Sequence, residues 1–298
     1  MRMRVMLLGA DNRLGQALTA LAEAEDIQLM TVGQPEGGWR AEALDGWLAQ
    51  QPDAVVNLTH YHEQFQLGVQ DARTLQAQRA FDTALLAACQ QRDVLLLMLS
   101  SARVFDGLKP APYSEKDETA PADPLGAMQV ELEQRLLAWE RHLILRLSWV
   151  LDSSAEGQLG RLLAQLCSAQ PVTLAEEWRG NPTPVTDVAR VILALLKQVD
   201  CDAPLYGIYH YGGAEVSSWI SLAKALVQEL LAAGYIEHDP LIQPVPFSSQ
   251  PMAGKEPQNA ALSGKRILHT FGIKPRAWRS QLAGLLEQSL GAKNQRPQ

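Results

Sequence analysis

The chain of 298 residues is 47% hydrophobic and 20% charged, which is ordinary for a globular protein and allows one large α/β unit or two coupled domains. Its formal net charge of −7 offers no basic surface for nucleic acid or for an anionic membrane, so neither partner is expected. Its three cysteines form no C-x-x-C pair, which argues against a disulfide framework or a zinc site and favours the reducing cytoplasm.

The first ten residues, MRMRVMLLGA, place basic residues before an apolar run, as a signal peptide does. The run then continues directly into a glycine turn and a helical pattern, with no cleavage site between them. It is also far shorter than the roughly 20 residues that a membrane span needs. We therefore expect the first buried strand of the fold here.

Short apolar runs alternate with longer segments of helical periodicity through the first 150 residues. Runs that are apolar throughout are typical of parallel strands buried on both faces. Their alternation with helices predicts an α/β fold with a Rossmann-type, doubly wound parallel sheet. The predicted strands are residues 4–9, 27–32, 54–58, 94–100 and 143–149, and the predicted helices are 14–25, 40–51, 66–90 and 126–141.

The pattern loosens after residue 150, which predicts a second, smaller lobe. We expect residues 1–150 to form a nucleotide-binding domain, with 184–214 returning to it, and 151–183 and 215–292 to form the lobe. Residues 293–298 are expected to be a disordered tail. Predicted helices are 159–168, 187–198, 217–233 and 278–289, and predicted strands are 172–175 and 207–211.

A glycine turn, Gly9 to Gly15, follows the first strand and opens a helix, which is where a dinucleotide pyrophosphate binds backbone N–H groups. Asn12 replaces the middle glycine of the usual G-x-x-G-x-x-G pattern. Because asparagine tolerates the left-handed conformation, we expect the turn to survive. The alternative is a turn that needs glycine only for packing. The predicted cofactor-binding residues are Gly9, Asn12, Arg13, Leu14, Gly15, Leu58, Thr59 and Ser100.

The second predicted strand ends in Thr31-Val32-Gly33-Gln34, without an acidic residue to bind a ribose 2′-hydroxyl. Arg13 has the charge to bind a 2′-phosphate instead. The hypothesis is therefore NADP(H) rather than NAD(H), with no metal.

Residues 100–107, 143–150 and several further segments, taken in order, resemble the dTDP-4-dehydrorhamnose reductase family of short-chain dehydrogenases/reductases, which includes the regulatory β subunit of methionine adenosyltransferase. Residues 100–107 (SSARVFDG) are similar to that family's S-T-D-Y-V-F-D-G, and 143–150 (LILRLSWV) to its L-I-L-R-T-S-W-V. The likeness covers nearly the whole chain. Further matches are residues 51–57, 180–183 with 187–189, 207–210, 218–219 and 271–273, and Asn259 is kept as well.

The resemblance implies a dinucleotide in the first domain and a nucleotide sugar in the C-terminal lobe, near Asn181, Trp219 and Asn259. The family's chemistry uses a Ser or Thr, a Tyr that supplies a proton, and a Lys that lowers the pKa of that Tyr. Only the first carries over, as Ser101, because Met128 and Leu132 occupy the Tyr and Lys positions. Loss of a positioned general acid costs about 10²- to 10⁴-fold in rate.

The sequence differs from the family's pattern at two further places. Ala102 and Arg103 replace the family's Asp and Tyr, and Glu256 replaces an Arg that is a plausible partner of a substrate diphosphate. We expect an acidic Glu256 to repel a phosphate.

A relocated proton donor is the alternative to a lost one. Tyr61, flanked by His60 and His62, follows the strand 54–58, near the expected nicotinamide. Tyr113 and Lys116 are three residues apart rather than four, in a proline-rich segment. Each tyrosine is more simply interpreted as an ordinary surface or packing residue.

Three functions follow from these residues. The first is a catalytically silent member of the family that binds a dinucleotide or a nucleotide sugar and acts as a regulator, as a sensor or through a protein partner. The second is an active NAD(P)H-dependent sugar-nucleotide reductase with a relocated donor such as Tyr61. The third is an interaction module without a nucleotide. A homodimer is compatible with each.

Overall fold

The computed structural model describes residues 2–61, 65, 71–168, 170–200 and 205–291. His62, the predicted tail and the first part of the predicted helix 66–90 lie outside these residues. No helix within them is long and apolar enough to cross a membrane.

A parallel sheet of six strands forms the centre of the molecule, in the order β2-β1-β3-β4-β5-β10. The predicted doubly wound Rossmann-type fold is confirmed. The strands of this sheet are β1 (Met3–Leu8), β2 (Ile27–Val32), β3 (Ala54–Asn57), β4 (Leu95–Ser101), β5 (His142–Leu147) and β10 (Gly207–Tyr211).

The apolar runs form strands because successive side chains point to opposite faces of the sheet, and each face is covered by its own apolar cluster. Val5 and Leu7 of β1 lie in an apolar cluster on one face of the sheet, whereas Met6 and Leu8 lie in a second cluster on the other face. Both faces are therefore dry, as expected for a parallel sheet covered by helices.

Helices cover the two faces of the sheet. Side chains of α1 and α6 complete the first cluster, and those of α2, α3 and α4 complete the second. These helices are α1 (Arg13–Ala22), α2 (Leu44–Leu48), α3 (Ala72–Arg92), α4 (Pro124–Leu137) and α6 (Val185–Asp200).

A third apolar cluster lies at the carboxyl end of the sheet and is built mainly from the second half of the chain. Trp149, Trp178 and Trp219 meet at its centre, with ring centroids 4.6–5.1 Å apart. We call it the tryptophan core. Its surrounding elements are β6 (Val150–Leu151), β7 (Val172–Ala175), β8 (Arg179–Gly180), β9 (Thr183–Pro184), β11 (Ser217–Ser218), β12 (Ile242–Val245), α5 (Gln158–Leu166), α7 (Trp219–Ala232) and α9 (Leu282–Leu286). Helix α8 (Lys265–Phe271) instead contributes Ile267 and Phe271 to the first cluster.

Three predicted helices differ in extent from those observed. The predicted helix 40–51 is a 3₁₀ turn, Ala41–Ala43, followed by the short α2, because Gln51 before Pro52 has a left-handed backbone. Helix α3 begins only at Ala72, where the Asp71 side chain caps it by accepting a hydrogen bond from the Thr74 N–H. The predicted helix 278–289 divides into a 3₁₀ turn, α9 and a π-helical turn.

Candidate functional site

The glycine turn needs glycine at both ends for steric reasons. Gly9 has a φ of +85°, and a Cβ there would lie 2.6 Å from the Leu58 carbonyl oxygen. A Cβ on Gly15 would lie 2.4 Å from the Gly9 carbonyl oxygen, so helix α1 packs directly on the turn. The turn thus exposes backbone at the start of a helix, the geometry that binds a pyrophosphate.

Asn12 has a different conformation from the one expected. Its φ of −76° and ψ of 168° are extended, so the prediction of a left-handed residue is wrong. Asn12 is instead the N-cap of α1, where its side-chain oxygen accepts a hydrogen bond from the Gly15 N–H at 2.9 Å. Capping requires an extended backbone. The Asn12 amide also donates to the Leu58 carbonyl at 2.9 Å, which connects the turn to the end of β3.

An open cleft of about 590 Å³ lies over this turn, and we call it the glycine-turn cleft. Four of the eight predicted cofactor residues line it: Gly9, Asn12, Arg13 and Thr59. The other four, Leu14, Gly15, Leu58 and Ser100, are buried beneath or beside it. Sequence reasoning missed the remaining lining residues, which are Asp11, Gln16, Gln34, Trp39, Ser154, Ala155 and Glu156.

Met128 and Leu132 are buried in the apolar cluster between α4, α3 and the sheet, with exposures of 1% and 5%. Neither side chain can donate a proton, and neither carries a charge that could lower the pKa of a proton donor. Ser101, at the end of β4, donates a hydrogen bond from its hydroxyl to the Gln129 side-chain oxygen at 2.7 Å. The retained serine therefore faces an amide.

Gln129 and Glu133 were missed by sequence reasoning, although they are one turn apart on α4. Glu133 forms a buried ion pair with Arg146 of β5, which pairs in the sheet with Ser100. Arg146 also contacts the His210 Nε2 at 3.2 Å. The sequence did contain a signal for these two residues. They are polar, they are four positions apart, and each directly follows one of the apolar positions 128 and 132. An amide can hydrogen-bond an oxygen, but it cannot protonate one.

Arg103 is buried, with 3% of its side chain exposed, and lies between two carboxylates. It forms ion pairs with Asp123, which also caps α4, and with Glu256 from the loop after β12. Its guanidinium also donates to the Lys255 carbonyl. Burial raises the pKa of Glu256, and the charge of Arg103 opposes that rise. Glu256, which was expected to repel a phosphate, is thus also the partner of Arg103 in a buried ion pair.

A cavity of only about 20 Å³ remains beside Ser101, lined by Arg103, Gln158 and Glu256 among others. A separate pocket of about 320 Å³, which we call the outer pocket, lies on the other side of Glu256. It is lined by Gln158, Arg161, Leu162, Gln165, Thr173, Leu174, Trp219, Gln250, Pro251, Met252, Lys255 and Glu256.

The three residues predicted for the sugar lobe have different surroundings. Trp219 lines the outer pocket. Asn181 is buried and bonds to the backbone of Gly213 and Leu262 at 2.9 and 2.8 Å. Asn259 donates to the Lys109 carbonyl at 2.6 Å. The amides of Asn181 and Asn259 therefore connect loops through hydrogen bonds to their backbones.

Both candidate tyrosines have acidic partners. Tyr61 is 1% exposed and donates a hydrogen bond to the Asp152 carboxylate at 2.7 Å. Tyr113 stacks on Phe105 with ring centroids 4.2 Å apart and donates to Asp106 at 2.5 Å. Burial, reinforced by that bond, raises the pKa of Tyr113 to about 12. Tyr113 packs on Phe105, and Tyr61 is itself buried, two residues after Thr59, which lines the glycine-turn cleft.

A buried polar chain runs beneath the cleft from Thr59 through Asn57 to Asp82, with hydrogen bonds of 2.7 and 2.8 Å. His60 Nε2 lies 3.6 Å from the Asp82 carboxylate. Burial raises the pKa of Asp82 to about 7 and lowers that of His60 to about 3. The two groups are therefore neutral together at mildly acidic pH, and their contact is not an ion pair there.

No group of three or more His, Cys, Asp or Glu side chains within the described part of the chain is arranged to hold a metal ion.

We expect Asn12→Ala to lower the free energy of unfolding by about 1 kcal/mol, because α1 loses its cap. Asn12→Ser keeps a capping oxygen and should lose less. Urea denaturation measures both, and equal stability of the alanine variant and the wild type would contradict the capping role.

Asp82→Asn should change the pH dependence of stability. The native Asp82 holds a proton between its unfolded pKa of 3.8 and about 7, so its contribution to stability falls as pH rises through this window. His60, with a pKa of 6.5 unfolded and about 3 folded, contributes the opposite slope between those values. Relative to wild type, the variant should gain about 2–4 kcal/mol of unfolding free energy between pH 4 and pH 7.

Urea denaturation at several pH values measures this difference. The exposed Asp239 offers a matched Asp→Asn control, for which we expect no such trend. A pH-independent difference for Asp82→Asn would contradict a protonated buried carboxyl.

The chain is similar to curated reductases over nearly its whole length. It is 26% identical over 284 residues to a dTDP-4-dehydrorhamnose reductase of Sinorhizobium fredii, covering 93% of this chain and 94% of the relative. It is 27% identical over 292 residues to a dTDP-4-dehydrorhamnose reductase of Mycobacterium tuberculosis, covering 95% and 92%.

Solved structures share the fold. A dTDP-4-dehydrorhamnose reductase from Bacillus anthracis, solved in complex with NADP, superposes with a TM-score of 0.80 at 18% identity, covering 96% of this chain and 99% of the other. A Thermus thermophilus UDP-glucose 4-epimerase in complex with NAD gives a TM-score of 0.77 at 19% identity, covering 97% and 100%. The model of the RmlD substrate binding domain family matches residues 3–290. The turn, the sheet order and this match agree with the resemblance seen in the motifs, and the chain belongs to the RmlD substrate binding domain family.

Proposed function

We propose that the glycine-turn cleft binds NADP(H). The support is the cleft itself, in which Gly9, Asn12 and Arg13 at the capped start of α1 border about 590 Å³ of open space. A relative of the same fold has been solved with NADP. Arg13 lines the cleft and supplies a cation for a 2′-phosphate, whereas Asp11 beside it opposes that charge.

Calorimetry with NADPH and NADH tests this assignment. NADPH should bind more tightly than NADH, and Arg13→Met should weaken NADPH binding about tenfold by removing a charge-assisted hydrogen bond. NADH binding by the same variant should be unchanged. Tighter binding of NADH to the wild type would overturn the preference for NADP(H).

The relatives favour reduction of a dTDP-linked 4-keto sugar as the reaction, which was the alternative in the sequence analysis. Hydride would pass from NADPH to the carbonyl carbon, and a proton must reach the carbonyl oxygen. Tyr61, hydrogen-bonded to Asp152, is the donor that we assign. Because Met128 and Leu132 stand at the Tyr and Lys positions, turnover should be about 10²- to 10⁴-fold below that of a reductase with the Tyr–Lys pair.

NADPH oxidation with a dTDP-4-keto-6-deoxyhexose as substrate tests the reaction. Tyr61→Phe should abolish turnover, whereas Tyr113→Phe, a control of the same chemistry, should retain it. Turnover that survives Tyr61→Phe would exclude Tyr61 as the donor.

Catalytic silence is the second candidate, and one specific observation favours it. Met128 and Leu132 are core residues, and Ser101 is bonded to Gln129 beside a cavity of about 20 Å³. In this role the chain binds a dinucleotide or a nucleotide sugar and acts through a protein partner or a second copy of itself. NADPH binding without turnover supports it, and turnover by the wild type excludes it.

Ligand-induced stabilisation separates both candidates from an interaction module that binds no nucleotide. A ligand at 100 times its Kd stabilises the folded state by about 2.7 kcal/mol. The absence of any thermal shift with NADPH, NADH or a dTDP-sugar would favour the interaction module.

A further inference from the structure

Glu256 lies in the wall between two cavities. Together with Gln158 it lines both the small cavity at Ser101 and the outer pocket. On the inner side it meets the guanidinium of Arg103, and on the outer side it shares the pocket with Trp219. A ligand that enters through the outer pocket therefore meets this carboxylate before it can reach Ser101.

The two residues of the Arg103–Glu256 ion pair come from distant segments of the chain. Arg103 belongs to the 3₁₀ turn that follows β4, and it is fixed there by Asp123 at the start of α4. Glu256 lies 153 positions later, in the loop that follows β12. Contact between these two elements separates the outer pocket from the small cavity at Ser101.

The charges on the two sides of the wall differ. Arg161 and Lys255 are cations that line the outer pocket. At the wall itself Arg103 stands between two carboxylates, and the charge of Arg161 also acts on Glu256. The cations of the outer pocket favour an anionic nucleotide there, whereas the carboxylate of Glu256 opposes a phosphate that approaches Ser101.

We propose that the Arg103–Glu256 ion pair is a gate that determines which ligands reach Ser101, holding phosphate-bearing ligands in the outer pocket. The gate opens only when the pair separates. A neutral group that can displace or bridge the pair passes, whereas a diphosphate does not. This proposal deepens the proposed function by assigning specificity to that site, but its test needs neither NADPH nor turnover, so it can fail independently.

Thiol labelling measures access to the inner cavity. In a Ser101→Cys background, labelling by N-ethylmaleimide at position 101 is followed by peptide-resolved mass spectrometry. Labelling should be slow, and Glu256→Ala added to that background should accelerate it at least about tenfold, because the wall loses its carboxylate. Glu118→Gln, at an exposed glutamate away from the wall, is the control and should leave the rate unchanged.

The chain supplies two internal controls for this measurement. Cys167 is exposed and should be labelled quickly in every variant, while Cys89 is buried beneath the sheet and should stay protected. If Cys89 becomes labelled in Glu256→Ala, that variant has unfolded, and Glu256→Gln, which keeps the size of the side chain, decides the question. A rate at position 101 that does not rise in the folded variant overturns the gate.

Calorimetry with dTDP tests the charge selection. Glu256→Gln in the otherwise wild-type chain should bind dTDP about tenfold more tightly, because the phosphates no longer face a carboxylate. Unchanged or weaker binding overturns the assignment of Glu256 as a specificity determinant.

Discussion

A buried guanidinium at the end of β4 constrains the arrangement around it. Arg103 has lost nearly all contact with water, and a buried charge without partners is costly. Asp123 and Glu256 supply the partners from opposite sides, one from the helix that follows in the chain and one from a distant loop. Removal of one partner from such a buried pair costs about 3–5 kcal/mol. The Arg103 side chain therefore fixes the relative positions of three segments: the end of β4, the start of α4 and the loop at Glu256.

This constraint connects substitutions that look independent in the sequence. Arg103 and Glu256 both depart from the family pattern, and the structure shows that they depart together as an ion pair. Met128 and Leu132 likewise depart together, as two members of one apolar cluster. In both cases the two side chains belong to one structural unit, an ion pair in the first case and an apolar cluster in the second. Positions that are far apart or four residues apart in the sequence are thus coupled by the packing of these elements.

The sequence was sufficient to predict the sheet because its strands are continuous apolar runs whose burial on both faces leaves few alternatives. It also identified the glycine turn. It did not give the backbone of Asn12, since a capping asparagine and a left-handed one have the same residue type. Nor did it reveal the Arg103–Glu256 pair, because charges 153 positions apart show no periodic relation. Those features depend on tertiary contacts.

The two hydrogen bonds of Asn12 have a consequence for the entropy of ligand binding. One bond fixes the start of α1 and the other fixes the turn to the carbonyl of Leu58, so the backbone that faces the cleft is ordered before anything enters it. A flexible turn would have to lose conformational freedom on binding, at roughly 1–2 kcal/mol for each backbone residue fixed. Here that ordering accompanies folding, and a phosphate group meets a preorganised surface. An asparagine in place of the middle glycine thus makes the turn more rigid, but it keeps a phosphate farther from the backbone of the turn.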